Sequence, residues 1–162
     1  MNSLIIYYSL TGHVESFVKK LKDTTGFETL KLETVSAFQY KGVLRYIIGG
    51  FQAMTGYNPA LKAITKSLDQ YDHFIFVTPV WASTYVPAFN TLMDQYDFSH
   101  KKISVISSSK ALSNNVYEKF DLKLPLSTIT RHYQIIDKEP EDQKNVINQL
   151  QKQLMNQAHP YE

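Results

Sequence analysis

Residues 5–17 read IIYYSLTGHVESF, in which a short apolar run leads through Ser-x-Thr-Gly into a different pattern. The run 3–8 is rich in β-branched and aromatic residues, which predicts a buried strand. From Gly12 onwards the pattern is helical, and the apolar residues that share one face of this predicted helix are Val14, Phe17, Val18 and Leu21. Two hydroxyls and a glycine therefore lie where a strand ends and a helix starts, with no lysine or arginine among them.

The rest of the chain alternates between strand-like and helix-like segments. Further strands are predicted at 27–32, 73–78, 102–108 and 128–136, and further helices at 59–68, 87–96, 114–120 and 139–157. This alternation predicts the α/β class, a doubly wound three-layer αβα arrangement with helices on both faces of a parallel sheet. Such a sheet binds ligands beyond the carboxyl ends of its strands, where the strand order reverses. The loops at 9–13, 79–86 and 107–113 are therefore the candidates for a binding site.

Composition narrows the class of protein. The 162 residues, 43% hydrophobic and 20% charged, predict one globular domain over residues 1–162. A net charge of +2 is too small to indicate nucleic acid as a partner. The absence of cysteine excludes thiolate catalysis and Cys-based metal sites, and the five histidines are too scattered to predict a metal site. No run approaches the ~20 apolar residues of a membrane span, and no signal-peptide pattern is present, so we expect a cytoplasmic protein.

Residues 36–58 do not fit the simple alternation, because they are long for a connection. Their apolar residues fall at a helical spacing that Gly49-Gly50 is expected to interrupt, and these are Val43, Leu44, Ile47, Ile48, Phe51 and Met54. This pattern predicts a helical elaboration that packs on the sheet. Two other interpretations stay open, a subunit interface such as that of a homodimer and a cover over the ligand.

The first loop, Ser9-Leu10-Thr11-Gly12-His13-Val14, has the residue types and the position of a phosphate-binding site. A helix start carries about half a positive charge and several N–H groups without partners in the helix, so it holds a phosphate without a basic side chain. Two hydroxyls would add charge-assisted hydrogen bonds, and Gly12 would let the backbone approach closely. The same residues are also common helix caps, and the hexapeptide alone leaves both interpretations open. The chain has neither G-x-x-x-x-G-K-[ST] nor G-x-G-x-x-G.

The second loop lies within TPVWASTYVPAF, residues 78–89, and carries the only tryptophan. A flat heteroaromatic ring needs an aromatic platform and small residues that let it lie against the backbone. Trp81 and Tyr85 could supply the platform, and Ala82-Ser83 the close approach. A core position for Trp81 is the alternative interpretation.

With YYSLTGH and TPVWASTYVP in these places, the chain resembles the flavodoxin-like family of FMN-binding proteins, over residues 3–157. The resemblance implies FMN as the cofactor and a five-stranded parallel sheet in the order 2-1-3-4-5. It implies that the FMN phosphate is held by Ser9, Leu10, Thr11, Gly12, His13 and Val14. It implies that the isoalloxazine is contacted by Pro79, Val80, Trp81, Ala82, Ser83, Thr84 and Tyr85. The pyrimidine edge of the flavin would meet Ser107, Ser108 and Ser109.

Two features depart from the family's pattern. Val14 stands where the family usually has Thr or Ser, so one hydroxyl is missing from the phosphate loop. The third loop, SSSKALSNN, lacks the glycines often found there, and Lys110 is a candidate to face the N1–C2 region of the flavin.

The resemblance implies an FMN-binding redox protein. We predict a flavodoxin-type oxidoreductase that moves electrons or hydride from NAD(P)H to a small acceptor, with no catalytic side chain because the flavin carries the chemistry. The net charge and the lack of Asp and Glu in the three loops favour this over the strongly acidic electron-shuttling flavodoxins. One alternative is a one-electron shuttle reduced by a protein electron donor. The other is a non-enzymatic module with weak or no FMN that binds a partner through 36–58. Lys41, Arg45 and Lys110 are candidates to receive an anionic nicotinamide nucleotide, although each also suits a solvated surface.

Overall fold

The computed structural model describes residues 2–36, 42–110, 115–136 and 139–158, without the side chains of 42–46 and of 157–158. Within these ranges the strands are β1 (Ser3–Tyr7), β2 (Glu28–Lys31), β3 (His73–Trp81), β4 (Thr84–Tyr85), β5 (Lys102–Ser109) and β6 (Thr128–Ile136). The helices are α1 (His13–Thr25), α2 (Gly42–Met54), α3 (Pro87–Gln95), α4 (Asn115–Lys123) and α5 (Pro140–Ala158). In this part of the chain, no helix combines the length and the apolar character needed to span a bilayer.

The sheet has the strand order β2-β1-β3-β5-β6, and each neighbouring pair along it is parallel. The two-residue strand β4 lies outside this path and pairs antiparallel with the end of β3. Counted among themselves, the five parallel strands have the order 2-1-3-4-5. The predicted fold class and strand order are therefore confirmed.

Two hydrophobic clusters lie on opposite faces of the sheet. Alternate residues of β1 point to opposite faces, with Leu4 and Ile6 in one cluster and Ile5 and Tyr7 in the other. Buried residues of α3 and α4 complete the first cluster, and those of α1 and α5 complete the second. Because both faces are covered, the central strands are apolar almost throughout, which is why they were recognisable as short apolar runs.

One predicted helix is wrong. Residues 59–68 contain no helix, and the chain there forms an antiparallel bridge between Thr34 and Leu61. The backbone N–H of Val35 donates to the oxygen of Ala60, and that of Lys62 donates to the oxygen of Glu33. Pairing with the chain after β2 satisfies these groups, so this tertiary contact overrides the helical pattern after the proline.

The stretch predicted as a helical elaboration contains α2. The helix continues through Gly49-Gly50, which was expected to interrupt it, and it ends at Met54. Ala53 is buried, whereas Ile47, Phe51 and Met54 are 62%, 66% and 70% exposed. These three residues are spaced as i, i+4 and i+7, so they form one apolar face of α2 that points away from the core. Lys41 and the side chain of Arg45 lie outside the described residues.

Candidate functional site

The carboxyl ends of β1, β3 and β5 lie side by side. Tyr7 is in register with Val77, and Thr78 with Ser107. Since β2 lies on the other side of β1, the strand order reverses between β1 and β3. The structure therefore brings all three predicted loops to the edge of the sheet where such folds bind ligands.

The first loop turns sharply at Gly12, which has a φ of 87° and is the N-cap residue of α1. A side chain at this position would meet no atom within 4 Å, so the glycine is required by its backbone conformation and leaves open space beside the helix start. Thr11, Gly12 and His13 are exposed. The hydroxyl of Ser9 accepts a hydrogen bond from the backbone N–H of Glu15 (3.2 Å), so Ser9 does contact the first turn of α1 as the capping interpretation predicts.

Val14 is directed away from this open space. Its side chain is 4% exposed and belongs to the second hydrophobic cluster, with α1 and α5. Only its backbone can therefore face a ligand. The missing hydroxyl at this position is explained by packing.

An ion pair flanks the first loop. Lys31, the last residue of β2, places its Nζ 2.9 Å from both carboxylate oxygens of Glu15 in the first turn of α1. The hydroxyl of Tyr7 also donates to Glu15, over 3.4 Å. Burial, and then the negative charge of Glu15, raise the pKa of Tyr7 above its usual value. No local pattern in the sequence predicts this cation, because Lys31 lies on β2, 16 residues from its partner on α1.

The second loop is a hairpin, which makes β3 longer than the predicted strand 73–78. β3 continues to Trp81, and β4 pairs back on it, with Trp81 opposite Thr84. The two turn residues, Ala82 and Ser83, have φ values of 47° and 60°. A two-residue hairpin loop with both φ values positive is a type I′ turn. Neither residue is of the kind that favours this conformation, so the turn holds strain at the candidate site.

Trp81 in the second loop contacts Tyr8, the residue that precedes the first loop. Its ring is partly buried and meets the ring of Tyr8 edge-on, with centroids 5.9 Å apart and planes at 88°. Tyr8, which sequence analysis did not single out, directly follows β1, and its backbone N–H donates to the oxygen of Val77 (3.2 Å). Trp81 is thus a partly accessible aromatic surface beside the first loop.

Tyr85 points in a different direction from Trp81. Its ring is buried and lies 4.3 Å from that of Phe120. Burial, and then the charge of Asp94, raise the pKa of Tyr85 to about 12. Thr84 is buried as well, whereas Ala82 and Ser83 are exposed. In this loop the accessible groups are therefore Pro79, Val80 and Trp81, which are partly exposed, and the turn itself.

Helix α2 packs close to the turn. A Cβ placed on Gly50 would lie 3.4 Å from the Cβ of Ala82, so Gly50 is the point at which the helix approaches the hairpin. The exposed apolar face formed by Ile47, Phe51 and Met54 therefore belongs to a helix that contacts the second loop of the candidate site.

In the third loop, the serines have different surroundings. Ser107 is fully buried, and its hydroxyl lies 2.9 Å from that of Tyr117 on α4. Ser108 is 9% exposed, and the Oγ of Ser109 accepts a hydrogen bond from the side-chain amide of Gln134 (2.9 Å). Lys110 is exposed directly after β5. Residues 111–113 of this loop lie outside the described residues.

The three loops at the candidate site carry no acidic side chain, because residues 9–14, 78–86 and 107–113 contain no Asp or Glu. Among the residues that the structure describes, no three His, Asp or Glu side chains are grouped so that they could hold a metal ion.

The strained turn gives a testable prediction. Replacing Ser83 with Gly should raise the free energy of unfolding by about 1 kcal/mol, because glycine adopts positive φ without the steric cost that serine bears. Urea unfolding of the apoprotein would measure this. His100→Gly is a matched control, since His100 also has positive φ (63°) but precedes β5 at the opposite edge of the sheet. A loss of stability in Ser83→Gly would contradict the type I′ geometry.

A parallel sheet of this strand order, with three loops gathered at its reversal point, defines a flavodoxin-like protein. The chain belongs to the NADPH-dependent FMN reductase family, whose model matches residues 4–128. The resemblance found in the sequence, with FMN as the cofactor, is therefore confirmed. No curated protein matches the chain.

Solved structures of similar fold come from several bacteria. A candidate flavoprotein from Bacteroides uniformis has a TM-score of 0.76 at 18% identity, with 91% of this chain and 97% of that chain covered. A flavoprotein from Lactobacillus acidophilus, solved in complex with FMN, has a TM-score of 0.70 at 16% identity, with 82% and 92% covered. Oxidised flavodoxin 1 from Bacillus cereus has a TM-score of 0.57 at 14% identity, with 91% and 93% covered. At these identities the similarity establishes the fold.

Proposed function

We propose that the protein is an FMN-dependent oxidoreductase that takes hydride from NAD(P)H and passes electrons to a small acceptor, such as a quinone-like molecule. The observation that carries this proposal is the convergence of the three loops at the reversal point of the sheet, in a chain of the FMN reductase family. The FMN-bound relative from Lactobacillus acidophilus supports the choice of ligand.

The first loop would hold the phosphate group of FMN. An exposed threonine, a glycine with open space beside it and the start of a helix fit a phosphate without a basic side chain in the loop. In this proposal Ser9, Thr11 and the backbone of 10–14 donate hydrogen bonds to the phosphate. Ser9 can do so because its bond to Glu15 uses the oxygen and leaves the hydroxyl proton available.

The second and third loops would hold the isoalloxazine. Trp81 would flank the ring system, and the exposed turn of Ala82 and Ser83 would lie against it, while the buried Thr84 and Tyr85 support the turn. Ser108 and Ser109 would meet the pyrimidine edge. Ser107 would contribute its backbone, because its side chain is turned into the core.

The missing acidic residues favour reductase activity. A negative charge about 8 Å from the flavin raises the energy of an anionic reduced flavin by about 1–2 kcal/mol, at an effective dielectric constant of about 20–40 and before screening by salt. Loops without carboxylates avoid this penalty for an anionic reduced flavin, and the exposed Lys110 has the opposite effect. When bound, FMN supplies the hydride and electron chemistry. The chain supplies binding, orientation and this electrostatic environment, so we assign no catalytic side chain.

The proposal is tested by mixing the FMN-loaded protein with NADPH or NADH without oxygen and following the flavin absorbance. We expect bleaching that is faster than for free FMN at the same concentration. If neither nucleotide accelerates bleaching, while dithionite still reduces the bound flavin, the protein is not an NAD(P)H oxidoreductase.

A second candidate function is a one-electron carrier between protein partners. It is favoured by the exposed apolar face of α2, formed by Ile47, Phe51 and Met54 beside the strained turn. A homodimer would use the same kind of surface. Rapid reduction by a protein electron donor, together with failure of both nicotinamide nucleotides, would select this function. Colourless protein that FMN cannot reconstitute would select the non-enzymatic module.

Trp81 gives a second prediction. Aromatic contacts contribute about 0.5–1.5 kcal/mol beyond burial, so Trp81→Ala should weaken FMN binding by about threefold to tenfold. Because Trp81 is the only tryptophan, quenching of its fluorescence by FMN reports this contact directly. Trp81→Phe keeps an aromatic surface and serves as the control. Equal FMN affinity in all three proteins, without quenching in the wild type, would assign Trp81 to the core.

A further inference from the structure

We propose that the ion pair between Glu15 and Lys31 sets the affinity of the site for the phosphate group of its ligand, and that Lys31 is the residue that makes this end of the site neutral. The inference rests on the proposed function, because it concerns how the protein distinguishes a phosphorylated flavin from riboflavin. It assigns a role to a strand residue outside the three loops.

Glu15 brings a negative charge to the end of α1 that faces the candidate phosphate site. Its backbone N–H is bonded to Ser9 in the loop, so its position is tied to the residues that would hold the phosphate. A carboxylate in the first turn is favourable for the helix dipole. The same carboxylate opposes a phosphate dianion at that helix end, because the two charges have the same sign.

Lys31 cancels this charge at short range. Its ammonium group is 2.9 Å from each carboxylate oxygen of Glu15, and the hydroxyl of Tyr7 donates to the same carboxylate. Two opposite charges in contact act on a third charge almost as a neutral group, so the pair removes most of the repulsion. The pairing depends on the fold, because Lys31 is held beside Tyr7 by the register of β2 on β1.

The two partners should therefore have opposite effects when replaced singly. Lys31→Met leaves the charge of Glu15 uncompensated and should weaken FMN binding about threefold to tenfold, the range for one screened unit charge at a partly exposed site. Glu15→Gln leaves the charge of Lys31 uncompensated and should tighten FMN binding by a similar factor. The double variant should return close to the wild type. Riboflavin has no phosphate, so its affinity should change little in any of them.

The experiment titrates the apoproteins with FMN and with riboflavin at low and at moderate salt. The measured quantity is the ratio of the two dissociation constants, because it isolates the phosphate from the isoalloxazine. Lys31→Arg keeps the positive charge and is the matched control, with an unchanged ratio expected. Added salt should reduce the shift in both charge-changing single variants. A thermal melt of each apoprotein shows whether it is folded.

Opposite shifts of the ratio in Lys31→Met and Glu15→Gln support the inference. A purely structural role of the pair would instead lower stability in both variants and weaken FMN and riboflavin together, which overturns it. An unchanged ratio in Glu15→Gln also overturns it, even where Lys31→Met fails to fold. If the inference fails in either way but the wild-type protein binds FMN more tightly than riboflavin, the proposed function still stands. A folded wild type that binds neither ligand overturns the proposed function and the inference with it.

Discussion

Lowering the pH from 7 to 5 should cost the apoprotein about 2 kcal/mol of its unfolding free energy through a single group, the imidazole of His73. His73 is the first residue of β3 and is fully buried in the sheet. Its two ring nitrogens contact hydroxyls on the neighbouring strands, with Nδ1 3.2 Å from Ser3 and Nε2 3.0 Å from Ser104. Burial, and then the positive charge of Lys102, lower the pKa of His73 to about 4.

The hydrogen bonds around His73 assign its neutral form. Thr130 donates its only hydroxyl proton to the backbone oxygen of Ile103, so the hydroxyl of Ser104 must donate to Thr130 across their 2.9 Å contact. Ser104 can then only accept from His73, which places the imidazole proton on Nε2. The Nδ1 atom in turn accepts from Ser3. Because a second proton on the ring would remove the acceptor of Ser3, this network accommodates the neutral ring and not the charged one.

The direction of the pH effect follows from the two pKa values. His73 has a pKa of about 4 in the folded protein and near 6.5 when unfolded. As the pH falls below 6.5, the unfolded chain gains a proton that the folded protein does not bind, so stability falls. The loss amounts to about 2 kcal/mol by pH 5 and about 3 kcal/mol in full, and this contribution stops growing below pH 4.

Urea unfolding of the apoprotein at pH 7, 6 and 5 would measure this loss. Glutamine in His73→Gln keeps a hydrogen-bond donor and an acceptor but does not titrate. The unfolding free energy of this variant should therefore fall by about 2 kcal/mol less than that of the wild type between pH 7 and pH 5. His13→Gln removes an exposed histidine and controls for the substitution itself. Burial also lowers the pKa of His132, so the variant retains some pH dependence of the same sign. Parallel curves for wild type and His73→Gln would show that the folded protein accepts the proton on His73.

Much of the fold could be predicted from the sequence because parallel strands covered on both faces must be apolar. The runs that became β1, β3 and β5 were visible for this reason, and the loops that follow them were found without any knowledge of contacts. The helix predicted after Pro59 shows the limit of such patterns. A proline followed by helical spacing is a local signal, whereas the bridge between Thr34 and Leu61 that decides the conformation is a contact between distant segments.

The same limit explains which parts of the candidate site were missed. Lys31 reaches Glu15, next to the first loop, from a neighbouring strand, and Tyr117 reaches Ser107 from a helix. No local spacing predicts either contact. The direction of a side chain within a correctly placed loop is also not encoded in the local sequence pattern. Val14, Ser107 and Tyr85 occupy the predicted positions, yet their side chains lie in the core. Their orientation depends on packing partners supplied by α4, α5 and the sheet.

Removing the hydroxyl of Tyr117 should destabilise the protein by about 2 kcal/mol, although the ring itself stays. The Oη atom of Tyr117 lies 2.9 Å from the Oγ of Ser107. The hydroxyl of Tyr117 donates its proton to the backbone oxygen of Tyr133 over 2.8 Å. Because that proton is committed to the carbonyl, the hydroxyl of Ser107 must be the donor to Tyr117. Tyr117→Phe therefore leaves a carbonyl without its donor and a fully buried hydroxyl without its acceptor, and each loss costs about 1–3 kcal/mol where no new partner is found.

Phenylalanine is the appropriate replacement because the ring of Tyr117 stacks on His132, with centroids 4.3 Å apart and planes at 11°. This stacking survives in Tyr117→Phe, so urea unfolding of the variant measures the hydroxyl alone. Ser107→Ala should cost less, because Tyr117 keeps its bond to the carbonyl of Tyr133. The double variant should cost less than the sum of the two, since it leaves no buried serine hydroxyl to be satisfied. Strict additivity would show that Ser107 and Tyr117 are not coupled, and that the end of β5 at the candidate flavin site is held in place by the sheet alone.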